Sequence, residues 1–183
     1  MTGIKVCIVT IIFTAVYIFS SVLFSNLLFY GKSNGSLIKI NNKIIGSSLI
    51  GQEFKKSRYF TPRPSVNNYK NDISGCSNFP YYSEELKKDI QNRYLDFQNL
   101  NSGGNPDLNL ISESASGLDP HITYNGAISQ VTRISKTGGI NNKEIIKIIN
   151  KHSHKRILGL FGEKIINTLE LNSELYKIYA KKT

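Results

Sequence analysis

Ser116-Gly117-Leu118-Asp119-Pro120-His121 puts a hydroxyl, a carboxylate and an imidazole in one short run. Nucleophilic catalysis uses those three groups, but it needs them brought together in defined roles. Neighbours in one tight loop seldom achieve that geometry. Turn chemistry explains the run better: Gly117 supplies an unusual φ, Asp119 turns the chain and Pro120 fixes it. Ser36-x-x-Lys39 and Lys136-Thr137-Gly138 match two motifs of serine penicillin-recognising enzymes. The third, Ser-Asp-Asn, is missing. Lys136 also ends a helical pattern, where those enzymes need a strand edge. Arg63 stands between Pro62 and Pro64, which hold it with little backbone freedom. That suits either an anion contact or a salt bridge to the chain's own carboxylates. His152 and His154 lie beside Lys151, Lys155 and Arg156 and read as cations at a helix carboxyl end. No His/Cys cluster has metal-ligand spacing. Neither a GxxxxGK phosphate loop nor the Asp-Lys-Thr-Gly phosphorylation motif of ion pumps is present.

The elements that must position these residues follow from periodicity. Ile38 and Ile40 alternate, Asn41-Asn42 makes a turn, and residues 43–50 run apolar again, which predicts a hairpin. Residues 61–80 are rich in Pro, Asn, Gly and Ser and read as ordered loop. Ser83 caps a helix with Glu84 and Glu85 in its first turn, and Leu86, Ile90, Tyr94 and Phe97 keep helical spacing. Residues 101–105 break it. A second helix is expected from about Thr123 to Gly138-Gly139, with Ala127, Ile128, Val131 and Ile134 on one face. A third starts at Asn141, with Glu144 in capping-box position and Ile145, Ile148 and Ile149 inward. Residues 165–171 read as a strand, and a short helix follows Asn172.

Ahead of all this lies a charge-free stretch. Residues 6–30 form 25 consecutive positions dominated by Val, Ile, Leu and Phe. A helix rises about 1.5 Å per residue and the hydrocarbon core is about 30 Å thick, so the stretch can span with some tilt. A signal peptide has an apolar core of about 7–15 residues and a small-x-small cleavage site. This one is longer and closes on Leu27-Leu28-Phe29-Tyr30, which reads as an uncleaved anchor. The spacing of Ser21 and Ser25 offers one small face for close helix approach. The expected class is therefore α+β, a single amino-terminal transmembrane helix followed by one mixed soluble domain. Its expected divisions are a flank at 1–5, the span at 6–30, a linker at 31–35 and the domain at 36–183. Lys5 precedes the span, and Lys32, Lys39 and Lys43 follow it. Counted alone, these place the domain in the cytoplasm. The whole chain is rich in Lys, however, so composition explains the count as readily as topology does.

The chain has 183 residues, 23 Lys and Arg against 13 Asp and Glu, and a net charge of +10. One domain with an appendage is the ceiling at that length, which excludes a multidomain motor or a complete ion pump. The positives are scattered and carry no nucleic-acid module, so they read as a solvated basic surface. Cys7 and Cys76 are the only cysteines. With Cys7 in the span they cannot meet, so no internal disulfide is expected.

Six motifs in order then resemble the C subunit of the Kdp potassium-transporting ATPase. They begin with Gly46-Ser47-Ser48-Leu49-Ile50-Gly51-Gln52-x-Phe54 and Tyr59-Phe60-x-x-Arg63-Pro64-Ser65. Ser74-Gly75-x-Ser77-Asn78 and the run from Ser114 through Gly117, Asp119, Pro120 and His121 to Ile122 come next. Gln130-Val131-x-Arg133 and Arg156-x-Leu158-Gly159-x-x-Gly162-Glu163 follow, and Asn167 with Leu171-Asn172 closes the pattern. Cys76 stands where that family usually has Gly. Phe79-Pro80-Tyr81-Tyr82 alters a Gly-Pro-rich stretch, and Thr123 replaces a Ser.

The resemblance implies a non-catalytic subunit of a potassium uptake complex in the cell's inner membrane. Its partners would be a channel-like potassium-binding subunit, a P-type ATP-hydrolysing subunit and a small hydrophobic subunit. No tightly bound cofactor is expected. Potassium is the transported ion, and ATP would come through the hydrolysing subunit. Two mechanisms are implied. In one, the domain is a catalytic chaperone that raises ATP affinity, with Gln52, Ser74, Gly75, Ser77 and Asn78 as nucleotide contacts. In the other, the domain lies outside and caps the potassium entrance, which the family's topology favours. Arg63, Pro64, Gly117, Asp119, Pro120, His121, Arg133, Arg156, Gly159 and Glu163 are then structural or interface positions. A different class, a lone single-pass envelope hydrolase or lipid-binding module, is the alternative.

Overall fold

The computed structural model describes residues 2–154 and 161–182. Lys155, Arg156, Leu158 and Gly159 lie outside the described residues. The chain divides between Leu37 and Ile38 into two compact units.

The first unit is helical. Helix α1 covers Thr2–Leu28, 27 residues or about 40 Å at the standard rise, and is long and apolar enough to cross a membrane. Its large apolar side chains are exposed all round, which suits hydrocarbon and not water. Polar side chains in the span bond back to the helix. Thr10 Oγ1 donates to the Val6 carbonyl at 2.9 Å, and Asn26 Nδ2 to that of Val22 at 3.0 Å. The expected linker begins as one more helical turn, α2 at Tyr30–Ser33, because the Ser33 N–H reaches the Phe29 carbonyl at 2.9 Å.

The second unit opens on a hairpin of β1 (Leu37–Ile40) and β2 (Lys43–Ser47). Asn41 and Asn42 both take positive φ, +49° and +61°, the conformation of a type I′ turn. Helix α3 spans Glu84–Leu100, and the Ser83 hydroxyl accepts from the Leu86 N–H at 3.1 Å as the cap predicts. A 3₁₀ turn at Leu108–Leu110 precedes β3 at His121–Thr123. Helices α4 (Tyr124–Ile128), α5 (Val131–Gly138) and α6 (Asn142–His152) follow. Strand β4 at Ile165–Asn167 and helix α7 at Thr168–Lys182 complete the unit.

Three expectations need correcting. The second helix is two helices, broken at Ser129-Gln130. There the Ser129 hydroxyl and the Gln130 amide both donate to the Gly126 carbonyl, at 3.0 and 3.1 Å, in competition with the helix ladder. The strand at 165–171 is only three residues long. Asn167 Oδ1 accepts from the N–H groups of Leu169 and Glu170 at 3.1 and 3.2 Å, so it caps a helix that starts inside the apolar run. Strand β3 went unread. It pairs antiparallel with β4, with His121 opposite Asn167, Ile122 opposite Ile166 and Thr123 opposite Ile165.

The core lies between this two-stranded sheet and helices α4 to α7. Ile122, Ile134, Ile145, Ile149, Ile166, Leu171 and Leu175 are buried in it, and Phe60 enters from a loop. Ile145 and Ile149 occupy one face of α6 as read, with Ile148 half-buried at its edge.

Asn167 joins the sheet end, the α7 cap and the loop at Ser48, whose carbonyl it meets at 2.6 Å. Asn167→Ala is expected to lower the unfolding free energy by about 1–3 kcal/mol. Asn167→Asp keeps the cap acceptor and loses the donor, so it should recover part of that loss. Urea unfolding followed by circular dichroism measures both.

Candidate functional site

Residues 48–64 form neither helix nor strand, yet they pass over the core and their peptide groups need partners. Side chains on the helices supply them. Asn172 treats Phe60 as a strand neighbour would: its Oδ1 accepts from the Phe60 N–H at 2.8 Å and its Nδ2 donates to the Phe60 carbonyl at 2.9 Å. Gln130 does the same for Thr61, at 2.7 and 3.2 Å. The Tyr179 hydroxyl donates to the Arg58 carbonyl at 2.9 Å.

Arg133 completes the clamp. Its Nε donates to Asn101 Oδ1 at 2.9 Å, and its Nη1 to the carbonyls of Tyr59, at 2.8 Å, and Ser57. Its Nη2 donates to Gln130 Oε1 at 2.6 Å and to Thr61 Oγ1 at 3.4 Å. All five of these acceptors are neutral. Burial lowers the Arg133 pKa to about 10, so the guanidinium stays charged at neutral pH.

A second cluster gathers the charged and glycine-rich motifs. Arg63 Nη1 meets Asp119 Oδ2 at 3.1 Å, and its Nη2 donates to the Glu113 carbonyl at 2.8 Å. The open choice for Arg63 thus falls to an internal salt bridge. Asp119 Oδ1 accepts from the His121 N–H at 3.0 Å and lies 3.2 Å from His121 Nδ1. Burial alone would raise the Asp119 pKa. The bonds from His121 and Arg63 outweigh it and leave the carboxyl lowered. Glu113 follows the same logic: burial raises it, and Arg93 and Ser77 bring it below the usual range. The Tyr69 hydroxyl donates to the Arg63 carbonyl at 2.7 Å, and burial followed by Glu53 pushes its pKa up to about 12.

Gly117 holds φ at +68°, and a Cβ there would sit 2.9 Å from the Gly75 carbonyl. Only glycine allows the two loops this approach. The Ser116 carbonyl accepts from the Gly75 N–H at 2.9 Å and from the Ser74 hydroxyl at 3.1 Å. Ser116 Oγ accepts from the Leu118 N–H, which is turn chemistry and not that of a poised nucleophile. The Pro64 carbonyl receives the Ser114 N–H at 3.3 Å, and that of Pro120 the Thr168 N–H at 2.9 Å.

The structure therefore brings together Arg63, Pro64, Ser74, Gly75, Gly117, Asp119, Pro120 and His121, and joins Ser77 to them through Glu113. Gln52 is elsewhere. It lines a cleft of about 490 Å³ with Phe54, Tyr59, Leu169 and Tyr176, and a side chain on Gly46 would overlap its carboxamide. Ser77 and Asn78 line a different cleft of about 330 Å³, floored by Arg93 and Glu113. Exposed Glu163 borders an open cleft of about 740 Å³ with Asp107, Tyr124 and Lys164. Arg156 and Gly159 fall outside the described residues. Asn101 and Glu113 carry no signal of a site in the sequence, and Asn172 is marked there only as the end of the family pattern.

The chain is thus of the single-span class by length and composition: one helix apolar and long enough to cross a membrane, followed by an α+β unit pinned by buried polar side chains. The family model of the K⁺-transporting ATPase c chain matches residues 1–177, and the chain belongs to that family. A potassium-transporting ATPase KdpC subunit of Caldanaerobacter subterraneus subsp. tengcongensis is 39% identical, over 87% of this chain and 84% of its own. The KdpC subunit of Gloeobacter violaceus is 38% identical, over 83% and 81%. That of Microcystis aeruginosa is 36% identical, over 90% and 88%.

Replacing Arg133 by Met strands the carbonyls of Ser57 and Tyr59 and should cost about 2–4 kcal/mol of stability, read from denaturant unfolding. The lowered pKa values of Asp119 and Glu113 carry a sign as well. Their contribution is present above the unfolded carboxylate pKa and is lost as pH falls through the lower folded values. Thermal unfolding across acid pH should show that loss, and Asp119→Asn should flatten it.

Proposed function

We propose that this chain is a non-catalytic accessory subunit of an ATP-driven potassium uptake complex. Residues 6–30 cross the cell membrane once. The α+β domain lies outside the cytoplasm, where it stabilises assembly and caps the potassium entrance of the channel-like subunit. The match to the K⁺-transporting ATPase c chain carries the reading, because it runs through both the apolar helix and the domain. Potassium is the transported ion, and nucleotide chemistry belongs to the P-type subunit.

The cap is preferred over the chaperone for a geometric reason. Gln52 and the Ser77–Asn78 pair line different clefts, so the candidate ATP contacts do not converge on one nucleotide. Ser74 and Gly75 are engaged with Ser116 instead. A basic domain above a cation entrance is tolerable, since charge is screened beyond about 8 Å at physiological salt. Ser21 and Ser25 form the small face through which α1 packs against the channel-like subunit.

Cys76, half-buried beside Asn78, is a built-in topology probe. A membrane-impermeant maleimide should label it in intact cells. Labelling only after permeabilisation would place the domain inside and revive the chaperone. If Cys76 reacts only on unfolding, Lys55→Cys, at a side chain 81% exposed, answers the same question. Ser21→Leu combined with Ser25→Leu should reduce co-purification of the other subunits, and full recovery would sink that docking face.

A further inference from the structure

Pro80-Tyr81-Tyr82-Ser83 is a tight turn, closed by the Ser83 N–H on the Pro80 carbonyl at 3.0 Å. Ser83 then caps α3, so the turn is fixed to the head of a 17-residue helix. Both tyrosines project outward, Tyr81 at 88% exposure and Tyr82 at 68%, with Phe79 beside them at 40%. Their rings meet edge to face at 5.2 Å, a mutual contact that holds the pair together. Phe79 also borders the cleft lined by Ser77 and Asn78, so the two tyrosine rings are the part of the turn presented to water, and a paired, exposed aromatic patch of this kind marks a contact site.

We propose that the Phe79–Tyr82 knuckle inserts into the headgroup–acyl boundary of the phospholipid bilayer. The inference rests on the reading that α1 anchors the chain in a membrane. Tyrosine rings with a hydroxyl at the tip suit that boundary, where an apolar body and a polar end are both satisfied. Two rings this exposed need no complementary pocket in a bilayer, whereas a protein partner would have to supply one. The domain begins at Ile38, a few residues after α2 ends at Ser33, so the bilayer is held at high effective concentration. The neighbouring charges do not drive the contact: Glu84, Glu85 and Asp89 outnumber Lys87 and Lys88, and Lys87 is paired to Glu84 at 2.6 Å. The contact should therefore form on zwitterionic lipid and survive high salt.

The chain contains no tryptophan, so an introduced one is a clean reporter. Tyr81→Trp would be compared with Tyr17→Trp, inside α1, in phosphatidylcholine nanodiscs holding the full chain alone and the full chain with its partner subunits, with the emission of the unsubstituted sample subtracted in each case. Lipids brominated near the glycerol should quench Tyr81→Trp emission by about half, with a blue shift that persists in high salt, and lipids brominated at mid-chain should quench Tyr17→Trp, which lies at the middle of α1. Phe79→Trp should be quenched likewise, and lose that quenching when Tyr81→Ser and Tyr82→Ser are added. Quenching at Tyr17 but not at Tyr81 or Phe79, with iodide reaching the latter from water, would overturn the knuckle while leaving the anchor intact. Blue-shifted emission at Tyr81 without lipid quenching, present only with the partner subunits, would overturn it in favour of a protein contact. Failure of quenching at Tyr17 too would overturn the anchor and the knuckle together.

Discussion

Irregular backbone laid over a core must have its inward peptide groups satisfied, and this domain does so with side chains instead of a sheet. Phe60 and Thr61 are each held on both their N–H and C=O by one carboxamide, Asn172 from α7 and Gln130 from the break before α5. Arg133 covers the carbonyls on either side of Arg58. With those bonds made, Phe60 can be driven fully into the core. Without them, the same segment would carry unpaired polar groups over an apolar floor, and each would cost on the order of 1–3 kcal/mol.

The rest of the unit is arranged around that clamp. The α4–α5 break turns at Gln130, which pairs with Thr61. Asn167 ends β4, starts α7 and holds Ser48, so one residue ties sheet, helix and loop. The Arg63–Asp119–His121 cluster secures the far end of the loop to the turn that feeds β3. Charged and polar motif residues of the types catalysis uses are therefore engaged in holding the shape. A domain fixed this way presents a rigid surface, which is what an accessory subunit in the proposed complex requires.

The candidate site was legible in part. Arg63, Gly117, Asp119 and Arg133 stand out in the sequence, and the turn reading of residues 116–121 follows from Gly, Asp and Pro chemistry alone. Their partners do not stand out. Asn101 is an unremarkable amide, and Asn172, which closes the family pattern, gives no sign that it meets Phe60 across 112 positions of chain. Gln52 and Ser77 belong to motifs that suggest one ligand, yet folding sends them to separate clefts.

By itself, the sequence determined the local matters. These are the long apolar helix, the Asn-Asn hairpin, the Ser83 and Asn141 caps, and the inward isoleucines of α6, together with an ordered motif set specific enough to indicate the family. Each depends on residues within a few positions of one another, where side-chain period and capping act directly. Only the tertiary structure decided that β3 pairs with β4, that Asn167 reaches the Ser48 carbonyl, and which amides clamp the loop. Those outcomes rest on hydrogen bonds between distant segments, and no local preference encodes which donor will reach which carbonyl.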